Sequence, residues 1–172
     1  MKLTELLIAD IERDAETTRR ALARVPINHD SWKPHDKSMQ LGYLVYMVAT
    51  MVEWVDFIVN RNELDIAPKD GGKPPVPEIK SNDQLLEMHK AALDKAISAL
   101  RHTTDEHLMT DWKLLAKGKV VIQAPRHVMI RDTVINHLAH HRGQLTVYLR
   151  LLSASVPALY GPSADEGKEW YA

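Results

Sequence analysis

Three histidines stand within five positions of one another in the C-terminal part of the chain, at His137, His140 and His141. In a helix, His137 and His141 lie one turn apart on one face, and His140 leans toward the same side. Gln144 and Tyr148 continue that stripe. Two imidazoles at this spacing can bind one divalent cation from a single helix. The stripe is therefore predicted to line a metal site or a pocket.

Two ligands from one helix do not complete a metal site. A catalytic centre needs a third protein ligand from a neighbouring helix, with water at the open positions. The same spacing also arises in helices whose histidines are simply packed and hydrogen-bonded. Other chemistries lack their motifs. The sequence has no HExxH, GxSxG, P-loop or GxGxxG, so it supports no zinc-protease, serine-hydrolase, NTPase or dinucleotide site.

Two further polar residues fall on apolar helix stripes. Asp14 lies on the stripe of the first predicted helix, where its carboxylate could orient a ligand histidine. The more ordinary alternative places Asp14 at the edge of the stripe, in contact with water. His89 lies on the apolar side of the third predicted helix, and there a packed or half-exposed histidine is the favoured interpretation.

Composition limits the class of protein. The chain has 172 residues, 45% of them apolar and 26% charged, which predicts one globular domain over residues 1–172. The net charge of −1 gives no electrostatic case for nucleic acid or an anionic membrane as a partner. Cysteine is absent and the N-terminus turns acidic too early for a signal peptide, so we expect a cytoplasmic protein.

Apolar periodicity predicts four long helices. Their approximate ranges are 3–24, 39–60, 81–100 and 125–152. The segment between the second and third helices is rich in proline and glycine and forms a long crossover. Residues 103–124 lack helical period, and a small hairpin around Gly118 is predicted there. The predicted fold class is all-α, a four-helix bundle with a long crossover loop, and such bundles build their sites in the core.

The second helix and the tail have features of their own. Residues 41–59 are very apolar but contain two carboxylates, which favours a buried helix over a membrane span. The helix is apolar on nearly every side, with Met51 and Trp54 on one stripe, so it contacts the core or a dimer partner on several faces. The tail is predicted to pack partly on the body through Tyr160, Trp170 and Tyr171.

Two stretches resemble a known family. Residues 137–152, HLAHHRGQLTVYLRLL, followed by VPALYGPSADE, are similar to the C-terminal signature of the DinB-like family of bacterial four-helix bundles. The loop WKPHDKSMQLGYL before the second helix resembles the same family, and the similarity covers most of the chain. The resemblance implies an up-down-down-up bundle, often a homodimer, with nickel or zinc held by three histidines. His137 and His141 match two of these ligands, and His140 matches a non-ligand histidine between them.

The third ligand that the resemblance implies is missing. It belongs to a segment like LGELxxHxA, which aligns with LGYLVYMVA at residues 41–49, and its position is Met47. A shift of one residue gives Tyr46, which is not a histidine either. A thioether is a poor ligand for such ions. The metal is then either lost or bound weakly, with water or a substitute such as Asp14 or His35.

Two functions remain open. As an enzyme, the chain resembles metal-dependent transferases, including thiol-dependent ones, isomerases and hydrolase-like proteins, and His137 and His141 would be the ligands. The pocket would be lined by Met47, Gln144, Tyr148 and Asp14. Without metal, either histidine could act as a general base, since imidazole titrates near neutral pH. The alternative is a non-catalytic small-molecule binder or a dimeric interaction protein, which the methionine in place of the third histidine favours.

Overall fold

The computed structural model describes residues 1–69, 71, 76–167 and 169. The α-helices are α1 Leu3–Leu22, α2 Leu41–Thr50, α3 Trp54–Asn60, α4 Asn82–Arg101, α5 Asp105–Leu108, α6 Arg126–Met129 and α7 His137–Leu151. The strands are β1 Glu63–Asp65, β2 Asp111–Ala116 and β3 Lys119–Pro125. The four predicted helices are all present, at α1, at α2 with α3, at α4, and at α6 with α7.

Two of the four helical stretches are not regular α-helix throughout. A 3-10 turn at Met51–Glu53 separates α2 from α3. A π-helical segment at Ile130–Asn136 separates α6 from α7 and ends directly before His137. Segments of π-helix are rare and occur often at functional sites, because they change which side chains share a helix face. The π-helical segment therefore changes the direction in which side chains point directly before His137, the first residue of α7.

A small three-stranded sheet corrects the prediction of an all-α fold. β2 and β3 pair antiparallel, and Lys117 and Gly118 turn between them with φ of 55° and 74°. This hairpin confirms the one predicted around Gly118. β1 pairs parallel to β2 and was not predicted, because three residues in a polar, proline-containing segment carry no strand periodicity. The Asp65 carboxylate accepts hydrogen bonds from the Ala67 and Gly118 amides and so ties the crossover to the hairpin turn.

The apolar core has two parts. One lies between α1, α3, α4, β2 and the π-helical segment and contains the fully buried Trp112. The other lies between the C-terminal end of α1, α2, the start of α4 and α7. Met51 belongs to this second part and is 3% exposed, whereas Trp54 is only half-buried. In the part of the chain that the structure describes, one helical stretch, Leu41–Asn60, is apolar and long enough to cross a membrane, and over half of it is buried in the core, which supports its interpretation as a core helix.

Replacing Asp105 by asparagine is expected to destabilise the fold at neutral pH, with a smaller effect in acid. The Asp105 carboxylate accepts hydrogen bonds from the backbone amides of Thr4 (3.0 Å) and Leu3 (2.8 Å), which begin α1. These bonds lower the pKa of Asp105. A lowered pKa in the folded state adds stability above the unfolded pKa of about 4 and loses it as pH falls through the folded value.

Urea unfolding of wild type and Asp105→Asn at pH 7 and at about pH 2.5 measures this dependence. The difference between the two proteins should shrink at the lower pH. The control is Asp36→Asn, because the Asp36 side chain is fully exposed. A difference in stability between wild type and Asp105→Asn that does not change with pH would show that the hydrogen bonds to the start of α1 do not depend on the charge of Asp105.

Candidate functional site

The three histidines of α7 form a cluster of rings at its N-terminal end. The ring centres of His137 and His141 are 4.5 Å apart, and those of His140 and His141 are 5.2 Å apart. The centres of His137 and His140 are 6.3 Å apart. His141 is 5% exposed, His137 is half-buried and His140 is exposed. The i, i+4 pair predicted from the sequence therefore lies ring to ring, with its second member inside the protein.

One ring nitrogen of His141 is held and the other has no partner. Its Nδ1 lies 2.8 Å from Oε1 of Gln144, so Nδ1 carries the proton and donates. Its Nε2 is buried and has no hydrogen-bond partner within the described ranges. In metal sites, a ligand histidine usually donates its other ring N–H to an oxygen in this way, which fixes the tautomer and the ring orientation. The Nε2 lone pair of His141 is thus set up to bind a cation or to accept a proton.

Burial keeps both members of the pair neutral. It lowers the pKa of His137 and of His141, and the neighbouring histidines add to the lowering in each case. The Gln144 hydrogen bond opposes this effect at His141 without cancelling it. Neutral imidazole is the form that binds metal ions. At neutral pH both rings therefore have a lone pair available.

Met47 stands where a third ligand is expected. It is half-buried on α2 and packs against the apolar cluster that contains Leu138 of α7. Among residues 1–69, 71, 76–167 and 169, no three or more histidine or carboxylate side chains are arranged so as to hold a metal ion. The unpartnered Nε2 of His141 fits a metal site. The described part of the chain supplies a histidine pair there, and not the three-histidine face that the resemblance implies.

The family model of the DinB family matches residues 3–171. The chain belongs to the DinB family. A DinB-like protein from Bacillus cereus ATCC 10987 superposes with a TM-score of 0.66 at 20% identity, covering 91% of this chain and 97% of that one. A DinB-like protein from Bacillus subtilis gives a TM-score of 0.64 at 18% identity, covering 88% and 96%. These likenesses establish the DinB-like fold, which is mostly helical.

Curated sequences add one short match. YrdA of Bacillus subtilis strain 168, described as uncharacterized, is 48% identical over 33 residues. That segment covers 19% of this chain and 20% of YrdA. A DinB-family structure from Exiguobacterium sibiricum 255-15 superposes with a TM-score of 0.60 at 17% identity, covering 89% of this chain and 93% of that one. None of these likenesses identifies a substrate for this DinB protein.

Asp14 lies next to a buried arginine in this DinB fold. The Arg142 side chain is fully buried, and its Nη2 lies 3.2 Å from Oδ2 of Asp14. Nη1 of Arg142 donates to Oγ1 of Thr18 at 2.7 Å, and the Tyr160 hydroxyl donates to Asp14 at 3.1 Å. The Asp14 side chain is 13% exposed. Its carboxylate therefore neutralises an arginine, and it neither orients a histidine nor sits solvated at the edge of the helix.

Arg142 is the residue of this DinB site that the sequence reasoning missed. Its position falls on the apolar stripe formed by Leu138, Leu145 and Leu149, which is a signal that the sequence does contain. A charged residue on such a stripe must be paired when it is buried. Burial lowers the pKa of Arg142, and Asp14 opposes that effect. The stripe thus indicates a buried ion pair, and Asp14 on the stripe of α1 is its partner.

The remaining predicted residues are placed as structural anchors. His89 is 4% exposed, with its ring nitrogens 3.2 Å from the Ala49 oxygen and 3.3 Å from the Ala15 oxygen, so it is a packed core histidine. Burial lowers its pKa. The Tyr148 hydroxyl donates to the Met39 oxygen at 3.0 Å and so fastens the loop before α2 to α7. Gln144 continues the histidine stripe by direct contact, through its hydrogen bond with His141.

The described part of the tail packs on the body of this DinB fold. Glu166 accepts from Arg20 at 2.6 Å and also from Arg24, and both arginines lie on α1 or directly after it. Tyr160 is 65% exposed, yet its hydroxyl reaches the Asp14–Arg142 pair. The other two aromatic residues expected to pack, Trp170 and Tyr171, lie outside the described residues. The tail thus covers the end of the buried ion pair.

Proposed function

We propose that this protein binds a divalent transition-metal ion, nickel or zinc, through His137 and His141, and that the open positions of the ion bind a small molecule. The observation that carries the proposal is the buried Nε2 of His141, which lacks a partner while Nδ1 is held by Gln144. Leaving a buried polar atom unpaired costs about 1–3 kcal/mol. A ligand at this nitrogen removes that cost.

The donor chemistry of the pair suits nickel or zinc. Imidazole nitrogen is a borderline donor that both ions accept, and i, i+4 spacing presents two such nitrogens on one helix face. The described chain offers no carboxylate at the pair, because Asp14 is engaged with Arg142 and Tyr160. Two neutral ligands leave the ion's charge uncompensated, so the affinity should be modest and a bound anion should strengthen it.

An ion held there would supply Lewis-acid polarisation of a substrate atom. The residues of the chain supply the rest. Gln144 orients the His141 ring, and burial keeps its unprotonated nitrogen away from bulk water. We infer a transferase or hydrolase-like reaction on a small molecule, the class that the family resemblance implies.

A second function has one observation in its favour. Met47 replaces the third histidine, and a site that loses a ligand keeps its fold while losing metal affinity. In that case the protein is a small-molecule binder or a dimeric interaction protein. The Nε2 of His141 then accepts a hydrogen bond from an N–H or O–H of the bound molecule.

The setting in the cell is part of the same proposal. We infer a cytoplasmic protein, because a chain of 172 residues without cysteine suits a reducing compartment. We infer a homodimer from the family resemblance. Met51 and Trp54, which share a stripe of the second predicted helix, differ in burial. Met51 is 3% exposed and packs in the core, whereas Trp54 is half-buried.

Metal analysis of protein purified without an affinity tag, followed by zinc and nickel titration, tests the metal proposal. Wild type should bind about one ion per chain. His141→Ala should weaken binding about a hundredfold, because structural zinc sites with four ligands are worth about 10–16 kcal/mol, or about 2.5–4 kcal/mol per donor. The control is His102→Ala, since His102 is exposed on α4's C-terminal cap. A wild type that binds neither ion at micromolar concentration would leave the metal-free function standing.

A further inference from the structure

We propose that two copies of this chain associate through the outward face of α7, with the two α7 helices antiparallel about a two-fold axis. The surface is formed by Ala139, Gly143, Val147 and Leu151, called here the outer row, whose members follow one another at steps of four residues along one side of the helix. The inference rests on the proposed homodimer, because it names the contact that holds the two copies together. It does not depend on a bound metal ion.

The glycine of the outer row is not required by its own chain. Gly143 lies in the middle of α7, and its φ is not positive. A Cβ atom added at Gly143 would have nothing within 4 Å. Glycine inside a helix is less favourable than alanine, because it loses more conformational freedom on folding. An exposed helical glycine without an internal reason indicates that another backbone or side chain approaches it closely from outside.

The other end of the outer row is apolar and exposed. Val147 and Leu151 lie one helical turn apart, and each is 57% exposed. The core packs against a different side of α7, the one that carries Leu138, Leu145 and Leu149. Single exposed apolar residues are ordinary on protein surfaces, but these two adjoin each other and the bare backbone of Gly143. A partner that covers them removes apolar surface from water.

The order of side-chain sizes makes the outer row complementary to itself. Two small residues, Ala139 and Gly143, are followed by two large ones, Val147 and Leu151. With a two-fold axis midway between Gly143 and Val147, each Val147 faces Gly143 of the other copy, and each Leu151 faces Ala139. Large side chains then enter the spaces above small ones, as in ridges-into-grooves packing. A parallel pair would instead set valine against valine and leave the space above each glycine empty.

The charge and the size of the outer row set the strength of the contact. None of its four residues is charged, and Arg150 beside it is paired with Asp165 at 2.5 Å. The row spans about 18 Å, since each helical residue rises about 1.5 Å. A strip of that length and about 10 Å wide covers about 180 Å² of each copy, whereas stable dimers bury about 1,200–2,000 Å² in total. The dimer is therefore weak and forms only as the protein concentration rises.

Sedimentation equilibrium of wild type, Gly143→Leu and Val147→Lys, from about 10 μM to about 1 mM, tests the inference. Wild type should dimerise across this range. Each variant should weaken association at least about tenfold, because leucine fills the space that Val147 of the other copy needs and lysine brings a charge into an apolar contact. Gly143→Leu should also raise the thermal midpoint of the dilute monomer by about 2–4 °C, since leucine favours a helix more than glycine does. A glycine with a purely internal role would not combine a more stable fold with a lost dimer.

Val121→Lys is the matched control. Val121 lies on β3 and is 54% exposed, close to the value for Val147, so this variant should dimerise as wild type does. The chain contains no cysteine, so single cysteines can report the register. An oxidised mixture of Gly143→Cys and Val147→Cys should give mainly the mixed disulfide, because those two positions face each other and a disulfide needs Cα atoms about 4.4–6.8 Å apart.

The outcomes separate the contact from the dimer itself. A dimer that survives both α7 variants, or that Val121→Lys dissociates, overturns the outer row as the contact and leaves the proposed homodimer in place. Disulfides mainly between like positions overturn the antiparallel register. Wild type that stays monomeric throughout overturns the proposed homodimer and the inference with it. The metal proposal is tested separately, by titration.

Discussion

Replacing Arg142 by alanine is expected to lower the free energy of unfolding by about 3–5 kcal/mol, the cost of removing one partner from a buried ion pair. Arg142 is fully buried and donates to Asp14, Thr18 and Tyr160. Its loss leaves the Asp14 carboxylate, only 13% exposed, without its cation. The shorter alanine side chain also leaves a cavity beside α7, next to Leu138 and Leu145.

The reverse change should show the same physics from the other partner. Asp14→Asn leaves a buried guanidinium without a charge to neutralise it, and Arg142 cannot shed its proton at ordinary pH. Removing both charges together should therefore cost less stability than removing either charge alone. A double variant, Asp14→Leu with Arg142→Met, removes both charges and keeps apolar volume. It should recover most of the stability that either single variant loses.

Urea unfolding followed by circular dichroism measures all four proteins. The matched control is Arg19→Ala, because Arg19 forms an exposed pair with Glu16 one turn away, with 53% and 59% of the two side chains accessible. That variant should unfold almost as wild type does. If Arg142→Ala were as stable as the control, the Asp14–Arg142 pair would not stabilise the bundle.

The same pair shows where sequence reasoning stops. The apolar period of each helix fixes its ends to within a few residues, as at α1 and α4, because burial of one face is a local pattern. The ion pair joins residue 14 to residue 142, and no local pattern records which distant residue packs opposite. The strand β1 was missed for a similar reason. Its three residues are a strand only because β2 lies beside them.

In the candidate site too, spacing predicts which residues share a helix face but not which distant residues they contact. Spacing alone predicted that His137 and His141 share a face, and their rings lie 4.5 Å apart. Spacing also put Tyr148 on that stripe, yet its hydroxyl binds the Met39 oxygen and its ring packs edge-on against Trp32. A helical wheel assigns a direction to each residue and cannot assign a neighbour.

Replacing Met47 by histidine is expected to tighten zinc and nickel binding about a hundredfold, because one imidazole donor is worth about 2.5–4 kcal/mol of binding free energy. The expectation joins two observations. The family resemblance places the third ligand at this position, and Met47 packs against the cluster that contains Leu138, one residue after His137. A thioether there contributes almost nothing to a borderline ion, so the gain comes from donor type and not from a new position.

Zinc titrations of Met47→His and Tyr46→His, each against wild type, test which of the two residues faces the histidine pair and whether α2 lies close enough to supply a ligand. Both residues are half-buried, so the two variants carry similar costs in packing. Tighter binding by Met47→His alone would fix Met47 as the residue that faces the histidine pair. Tighter binding by Tyr46→His instead would shift the alignment by one residue. If neither variant binds zinc more tightly, α2 does not reach the pair at this level, and the donors of α7 must account for the site by themselves.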